Sequence, residues 1–314
     1  ENPTGKTVAS SASALLTGER GSIPKAILTD IRSAGLGHLL AISGLHMALI
    51  MAGLFFLARA LLALIPALAL RYPIKHWAAV IALIAGLGYL LISGQTISAQ
   101  RAYIMTSLFF IAILLNRTGT PMRPVALAAL IVLALDPYSI LTPSFQMSFA
   151  AVIALVSAYE WLRQRKHYHS SYLKERNVIR TLRNYIFGVF FSSLIAGLAT
   201  MPFALYHFHT MARYGILANM IAIPLTAFWI MPWGRVGFLL MPFGLESLGL
   251  IPMQFGIEWL IDWAHFIQDL PTSRLHINAI SPWLIGIIAL AGLWLCLWNT
   301  RKRLLALPIP VSYT

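Results

Sequence analysis

Residues 35–58 read Gly35-Leu-Gly-His-Leu-Leu-Ala-Ile-Ser-Gly-Leu-His-Met-Ala-Leu-Ile-Met-Ala-Gly-Leu-Phe-Phe-Leu-Ala58. From His38 on, the run holds no carboxylate, lysine or arginine, and its length of about 20 residues is what a helix needs to cross a hydrocarbon layer about 30 Å thick. Eight similar runs follow, at 77–93, 102–115, 124–135, 145–162, 184–206, 215–232, 247–268 and 281–299. The composition of all 314 residues agrees: 59% are hydrophobic and 11% charged, and mean hydropathy is +0.76. A soluble domain carries about 25% charged residues, and the short alternating segments of a β-barrel are absent. The fold class is therefore all-α, a polytopic helical membrane protein of about nine transmembrane spans preceded by an interfacial amphipathic helix.

That first helix is expected from Ser22, which can cap it, with Pro24 in its first turn. Ile23, Ile27 and Ile31 recur every four residues, opposite Lys25, Asp30 and Arg32. Residues 1–21 read as a polar linker and 22–314 as a single membrane-embedded domain. Both ends are expected to continue in a longer protein: Glu1 opens without a leader, and Leu304 to Thr314 break off in an apolar stretch. The single cysteine, Cys296, offers neither a disulfide framework nor a thiolate metal site. The run 247–268 carries a polar stripe of Glu258, Asp262, His265 and Asp269, which suits either an interfacial helix or the wall of a wet cavity.

Basic residues set the orientation. Placing the loop 163–183 in the cytoplasm puts sixteen lysines and arginines on that side and three, Arg101, Arg213 and Arg274, on the other, the N-terminal linker and first helix aside. The linker then lies outside the cytoplasm.

Polar residues within spans are costly and mark candidate sites. His38, Ser43 and His46 enter the first span beside a small-residue ladder of Gly44, Ala48 and Ala52, which would let another helix approach closely. His38 can equally rest at the membrane interface, whereas His46 lies about two turns deeper. Ser43 and His46 share a helical face, as a nucleophile and base would, but no orienting acid accompanies them. Gln95, Ser98, Gln100 and Arg101 join the second and third spans; Arg101 can hold a phosphate bidentately or snorkel to water. Ser144, Gln146 and Ser148 open the fifth span in alternation with Phe145, Met147 and Phe149. No single helical stripe results, which suggests an unwound start, and the two phenylalanines fit an interfacial aromatic belt better than base stacking. Pro202, Pro224 and Pro252 fall inside later runs and suggest broken helices, with a ladder of Ser192, Ala196, Thr200 and Ala204 leading to the first and Asn219 preceding the second. Gly5-Lys6-Thr7 matches only the end of a phosphate-binding loop, and His207-Phe-His209 and His167-Tyr-His169 lack the further ligands of a metal site. No metal or other cofactor is expected.

Taken in order, Thr17-Gly-Glu-Arg-Gly, the amphipathic helix, Gly37-His-Leu-Leu-Ala-Ile-Ser-Gly-Leu-His46, Ser98-Ala-Gln-Arg-Ala, Asp136-Pro-Tyr-Ser, Pro143-Ser-Phe-Gln-Met-Ser-Phe-Ala and Ala218-Asn-Met-Ile-Ala-Ile-Pro-Leu resemble the competence domain of the ComEC family of bacterial DNA-uptake proteins. The resemblance covers nearly the whole chain. It implies a multi-pass protein of the bacterial inner membrane that conducts single-stranded DNA into the cytoplasm during natural transformation. It also implies partners: an OB-fold region before this segment, a metallo-β-lactamase-like domain after it, a DNA receptor, a motor and membrane lipid. The nuclease function belongs to the second of those domains, so this segment is expected not to be an enzyme. The expected path is lined by His38, Ser43, Gly44, His46, Gln95, Ser98, Gln100, Arg101, Ser144, Gln146, Ser148 and Asn219. The rival readings are a proton-coupled transporter using His46 and the 258–265 stripe, and an intramembrane serine hydrolase using Ser43 and His46. Reporter fusions after Gly94 and Ser170 should show opposite sides of the membrane; the same side for both would refute the assigned topology.

Overall fold

A computed structural model describes residues 24–39, 44–116, 122–167, 178–276 and 281–298. Its helices are α1 (Lys25–Ser33), α2 (Gly44–Ala63), α3 (Pro66–Arg71), α4 (Ile74–Ile92), α5 (Ile97–Leu114), α6 (Met122–Leu135), α7 (Pro143–His167), α8 (Val178–Phe208), α9 (Gly215–Leu225), α10 (Met231–Leu240), α11 (Ser247–Gln268) and α12 (Pro282–Leu297). Each expected span falls on a helical stretch. Among the described residues, six stretches are long and apolar enough to cross a membrane, including the run Gly215–Phe243 that joins α9 to α10; α6 and α12 are shorter apolar helices. The chain is a multi-pass membrane protein.

The first helix begins at Lys25 with Pro24 at its N-cap rather than in its first turn, and Ser22 and Ile23 lie outside the described residues. Its apolar face is covered by protein: Ile31 is buried with Leu260, Ile261, Ala264 and Ile267 of α11, and Ile27 and Leu28 pack beside it. Asp30 reaches across to His265 at 2.8 Å. Gly35 turns the chain at φ 78°, after which Leu36 and Leu39 enter the same core as Ala218, Ile230, Met231 and Met253. The span expected from His38 therefore starts as turns, and its described helix runs from Gly44.

Two further apolar cores hold the other helices. Met47, Met51 and Phe55 of α2 pack on Ala78, Ala79 and Ala82 of α4 and on Ala102 and Phe110 of α5. Small residues do form the seam, but on the partner helix: a Cβ on Gly86 would meet Met51 Sδ at 2.6 Å, whereas one on Gly44 would meet nothing within 4 Å. The expected Gly44–Ala48–Ala52 ladder is thus not the close-approach face. The third core joins Val125, Ala128 and Val132 of α6 to Phe145 and Phe149 of α7. These phenylalanines are 8% and 4% exposed, with ring centroids 4.3 Å apart, so they form neither an interfacial belt nor a stacking surface for bases.

The prolines do not break the helices. Pro202 and Pro252 lie inside continuous α8 and α11, and after Pro224 the chain widens into a π-helical turn, Thr226–Ile230, before α10. α11 is covered by protein along one face: Gly249, Met253, Gly256, Ile257 and Leu260 are among its buried residues. On the far side of the spans, β1 (Thr210–Ala212) and β2 (Arg274–His276) form an antiparallel ribbon, Thr210 opposite His276. This pairing brings the α8–α9 and α11–α12 connections together.

The tightest crossing is α10 on α11, where a Cβ on Gly249 would collide with the backbone of Gly237. Overpacking of this kind costs about 1–3 kcal/mol or more. Gly249→Leu should lower the yield of monodisperse protein after detergent extraction severalfold, while Gly88→Ala, which faces open space, should leave it unchanged; equal yields on size-exclusion chromatography would contradict this packing.

Candidate functional site

The turn before α5 is tight. Gly94 and Gln95 both take positive φ, 70° and 51°, and Thr96 caps the helix by accepting from Ala99 N at 3.4 Å. Gln100 Nε2 donates to the Gln95 carbonyl at 2.9 Å, and Ser98 lies 3.3 Å from Thr96 Oγ1, so these polar groups brace the turn. Arg101, five residues into α5, points inward and is 4% exposed. Its Nη2 donates to Ser144 Oγ at 2.6 Å. Nε and Nη1 are buried without a hydrogen-bond partner among the described residues, and no carboxylate there pairs with this guanidinium.

Ser144 is held by the start of α7. Asp136 caps the 3-10 turn Pro137–Leu141 through Tyr138 N at 3.2 Å. Thr142 Oγ1 accepts from Phe145 N at 3.3 Å and donates to the Ser139 carbonyl at 2.6 Å. The helix is therefore regular from Pro143, not unwound, and Ser144 and Ser148 share a face one turn apart. Gln146 serves a different neighbour. Its Nε2 donates to the Ile140 carbonyl at 3.0 Å, and its Oε1 lies 2.8 Å from His207 Nε2 on α8. With the amide so oriented, His207 carries its proton on Nε2.

The other candidates are more dispersed. His38 is exposed, with Nδ1 3.1 Å from the Gly35 carbonyl. His46 is fully buried at the start of α2, and Gly44 is exposed there. Ser43 lies outside the described residues. Asn219 is half-buried on α9, its Oδ1 without a partner among the described residues. Of the acidic stripe on α11, Glu258 accepts from Gln254 Nε2 at 2.9 Å and His265 pairs with Asp30. Arg101 with Ser144 ties α5 to α7, and Gln146 with His207 ties α7 to α8, as two separate pairs; the remaining candidates join neither directly.

Two residues of the interior were not singled out from sequence. His207 belongs to the rejected His-x-His pattern; its use is as a partner for Gln146, a contact 61 positions apart that no local pattern signals. Arg235 entered only as a topological charge. The apolar run continues past it through Val-Gly-Phe-Leu-Leu-Met, and that continuation was the available sign that it is embedded. Its Nη1 donates to the Leu49 carbonyl of α2 at 3.0 Å and its Nε to the Met231 carbonyl at 3.2 Å.

The two long stretches beside this site are the least buried of the six. Only 11% of the apolar stretch of α7 and 6% of that of α8 are buried, against 28% in the four other long stretches. Residues 150–158 of α7 are all half-buried, with no face fully covered and none fully open. A helix pressed on one side against a core shows the opposite, alternating pattern.

No solved structure matches this chain. Among known proteins it is similar to ComE operon protein 3 of Bacillus subtilis, 29% identical over 251 residues, covering 80% of this chain and 28% of that protein. It is also similar to recombination protein 2 of Haemophilus influenzae, 28% identical over 221 residues, 70% of this chain and 27% of that protein. Competence protein ComA of Neisseria gonorrhoeae is 26% identical over 250 residues, 79% of this chain and 33% of that protein. The chain thus spans about a third of the length of these relatives or less. The family model described as competence protein matches residues 15–302, and with nearly the whole chain inside that match, this multi-pass helical protein belongs to the competence protein family.

Proposed function

We propose that this chain forms the transmembrane passage by which single-stranded DNA enters the cytoplasm in natural transformation, and that it resides in the bacterial inner membrane with residues 1–21 outside and the loop 163–183 inside. Family membership supports the link to DNA uptake, and Arg101 carries the inference to an anionic strand. A guanidinium buried in a membrane protein without a carboxylate is costly unless it meets water or an anion. Arg101 has one neutral partner, Ser144, and two nitrogens without any among the described residues. A phosphodiester fits such a group, because each of its oxygens accepts charge-assisted hydrogen bonds from a planar fork.

The surroundings suit passage rather than storage. Ser144, Ser148 and Asn219 are neutral, and α7 stays half-buried over residues 150–158. Base stacking contributes nothing through Phe145 and Phe149, whose rings are buried, so sequence-independent backbone contact is the recognition mode. The chain itself supplies no catalysis in this reading; nuclease action and the driving force belong to other domains and partners, an OB-fold region, a metallo-β-lactamase-like domain, a DNA receptor and a motor. The proton-relay alternative is weakened because Glu258 and His265 already hold Gln254 and Asp30.

In full-length protein reconstituted into liposomes, labelled single strands should enter and duplex of equal length should not. Arg101→Ala and His46→Leu should each reduce uptake in cells at least tenfold without loss of the protein from the membrane. Wild-type uptake by both variants, measured as transformation frequency, would refute the assigned path; pH-driven uptake of a small solute that survives Arg101→Ala would favour the transporter.

A further inference from the structure

Arg235 is the second guanidinium of the interior, and nothing in the family match or in the site around Arg101 accounts for it. It lies inside the continuous apolar stretch Gly215–Phe243. Two backbone carbonyls hold it, Leu49 on α2 at 3.0 Å and Met231 one turn back at 3.2 Å. No carboxylate pairs with it among the described residues, and it remains half-exposed. The opposing helix is shaped to receive it: Gly53, one turn after Leu49, has no side chain, and a Cβ there would collide with Arg235 Nη1.

Carbonyl dipoles orient a guanidinium without neutralising it. A residue required only to tie α10 to α2 would need one donor and no charge, and the charge in a membrane-embedded helix costs about 2.5–3.5 kcal/mol on insertion scales. Gly53 also removes helix propensity, about 1 kcal/mol relative to alanine. Both costs are spent on placing a cation against α2.

We infer that Arg235 is a second phosphate-binding residue of the passage, contacting the backbone of the single strand independently of Arg101, with Gly53 as the positioning residue that makes room for it. This rests on the strand-passage reading above. Its ligand class is a phosphodiester, bound through charge and not through base identity. The carbonyl bonds leave the guanidinium fixed in direction, so a phosphate meets a preorganised donor set instead of a flexible cation.

The test is the salt dependence of binding of a fluorescent 20-nucleotide oligonucleotide to the full-length protein in nanodiscs. Each phosphate contact on a single strand contributes about 0.7 to the slope of log K against log salt. Arg235→Gln keeps a donor at the position that serves the Met231 carbonyl and removes the charge, so it should lower the slope by about 0.7 while its elution profile stays that of the wild type. Arg235→Lys should retain the slope. Gly53→Ala, which displaces the guanidinium, should shift the slope toward that of Arg235→Gln. An unchanged slope in Arg235→Gln would overturn the inference and leave Arg235 as a tie between helices, with strand passage intact. Absence of oligonucleotide binding by the wild type at every salt concentration would overturn both readings together.

Discussion

Charge in a hydrocarbon layer has to be accompanied, and this constraint orders the interior of the protein. Among the described residues, Arg101 and Arg235 are accompanied by a hydroxyl and by carbonyls, not by carboxylates. Acidic groups are placed elsewhere: Asp30 faces His265 and Glu258 faces Gln254. The separation matters for electrostatics. A carboxylate beside either arginine would satisfy it permanently and repel a phosphate, whereas neutral partners orient the cation and leave its charge available.

Close backbone packing supports this arrangement. Between apolar helices in lipid, association depends on dispersion and interlocking shape. Gly86 receives Met51, the α10–α11 crossing closes at Gly237 and Gly249, and Gly256 lies under the Trp229 ring, 2.6 Å from where its Cβ would be. The Trp229 indole in turn donates to the Pro252 carbonyl at 2.8 Å, so a proline-bearing segment is braced by protein. Close approach through glycine thus marks α2–α4 and α10–α11, whereas α7 and α8 are the least buried of the long stretches and are joined by Gln146 and His207.

Apolar length made most of the fold legible in the sequence, because nothing but a helix satisfies its own backbone over 20 lipid-exposed residues. The arginine at the start of the third span was legible for the same reason, as a charge where charge is expensive. What could not be read was direction. Phe145 and Phe149 sit near a span end like belt residues, and only their contact with Val125, Ala128 and Val132 makes them core. Gly44 begins a plausible small-residue ladder, yet the helix turns Met47 and Met51 toward its neighbour instead. His207 and Arg235 depend on partners 61 and 186 positions away, which periodicity along one helix does not encode.

A passage for a polymer also has to let go. Each phosphate that binds a fixed cation gains Coulomb energy in a medium of low polarity, and many such sites in series would hold the strand in place. On the proposed reading, two embedded guanidinium groups on separate helices, α5 and α10, would avoid that outcome. One contact would form as another breaks, and the strand would keep its charge compensated as it moved. On that reading, neutral hydroxyls such as those of Ser144 and Ser148 would add polarity without fixed charge, and residues of this kind, not a row of lysines, would suit the spans of a protein proposed to move DNA.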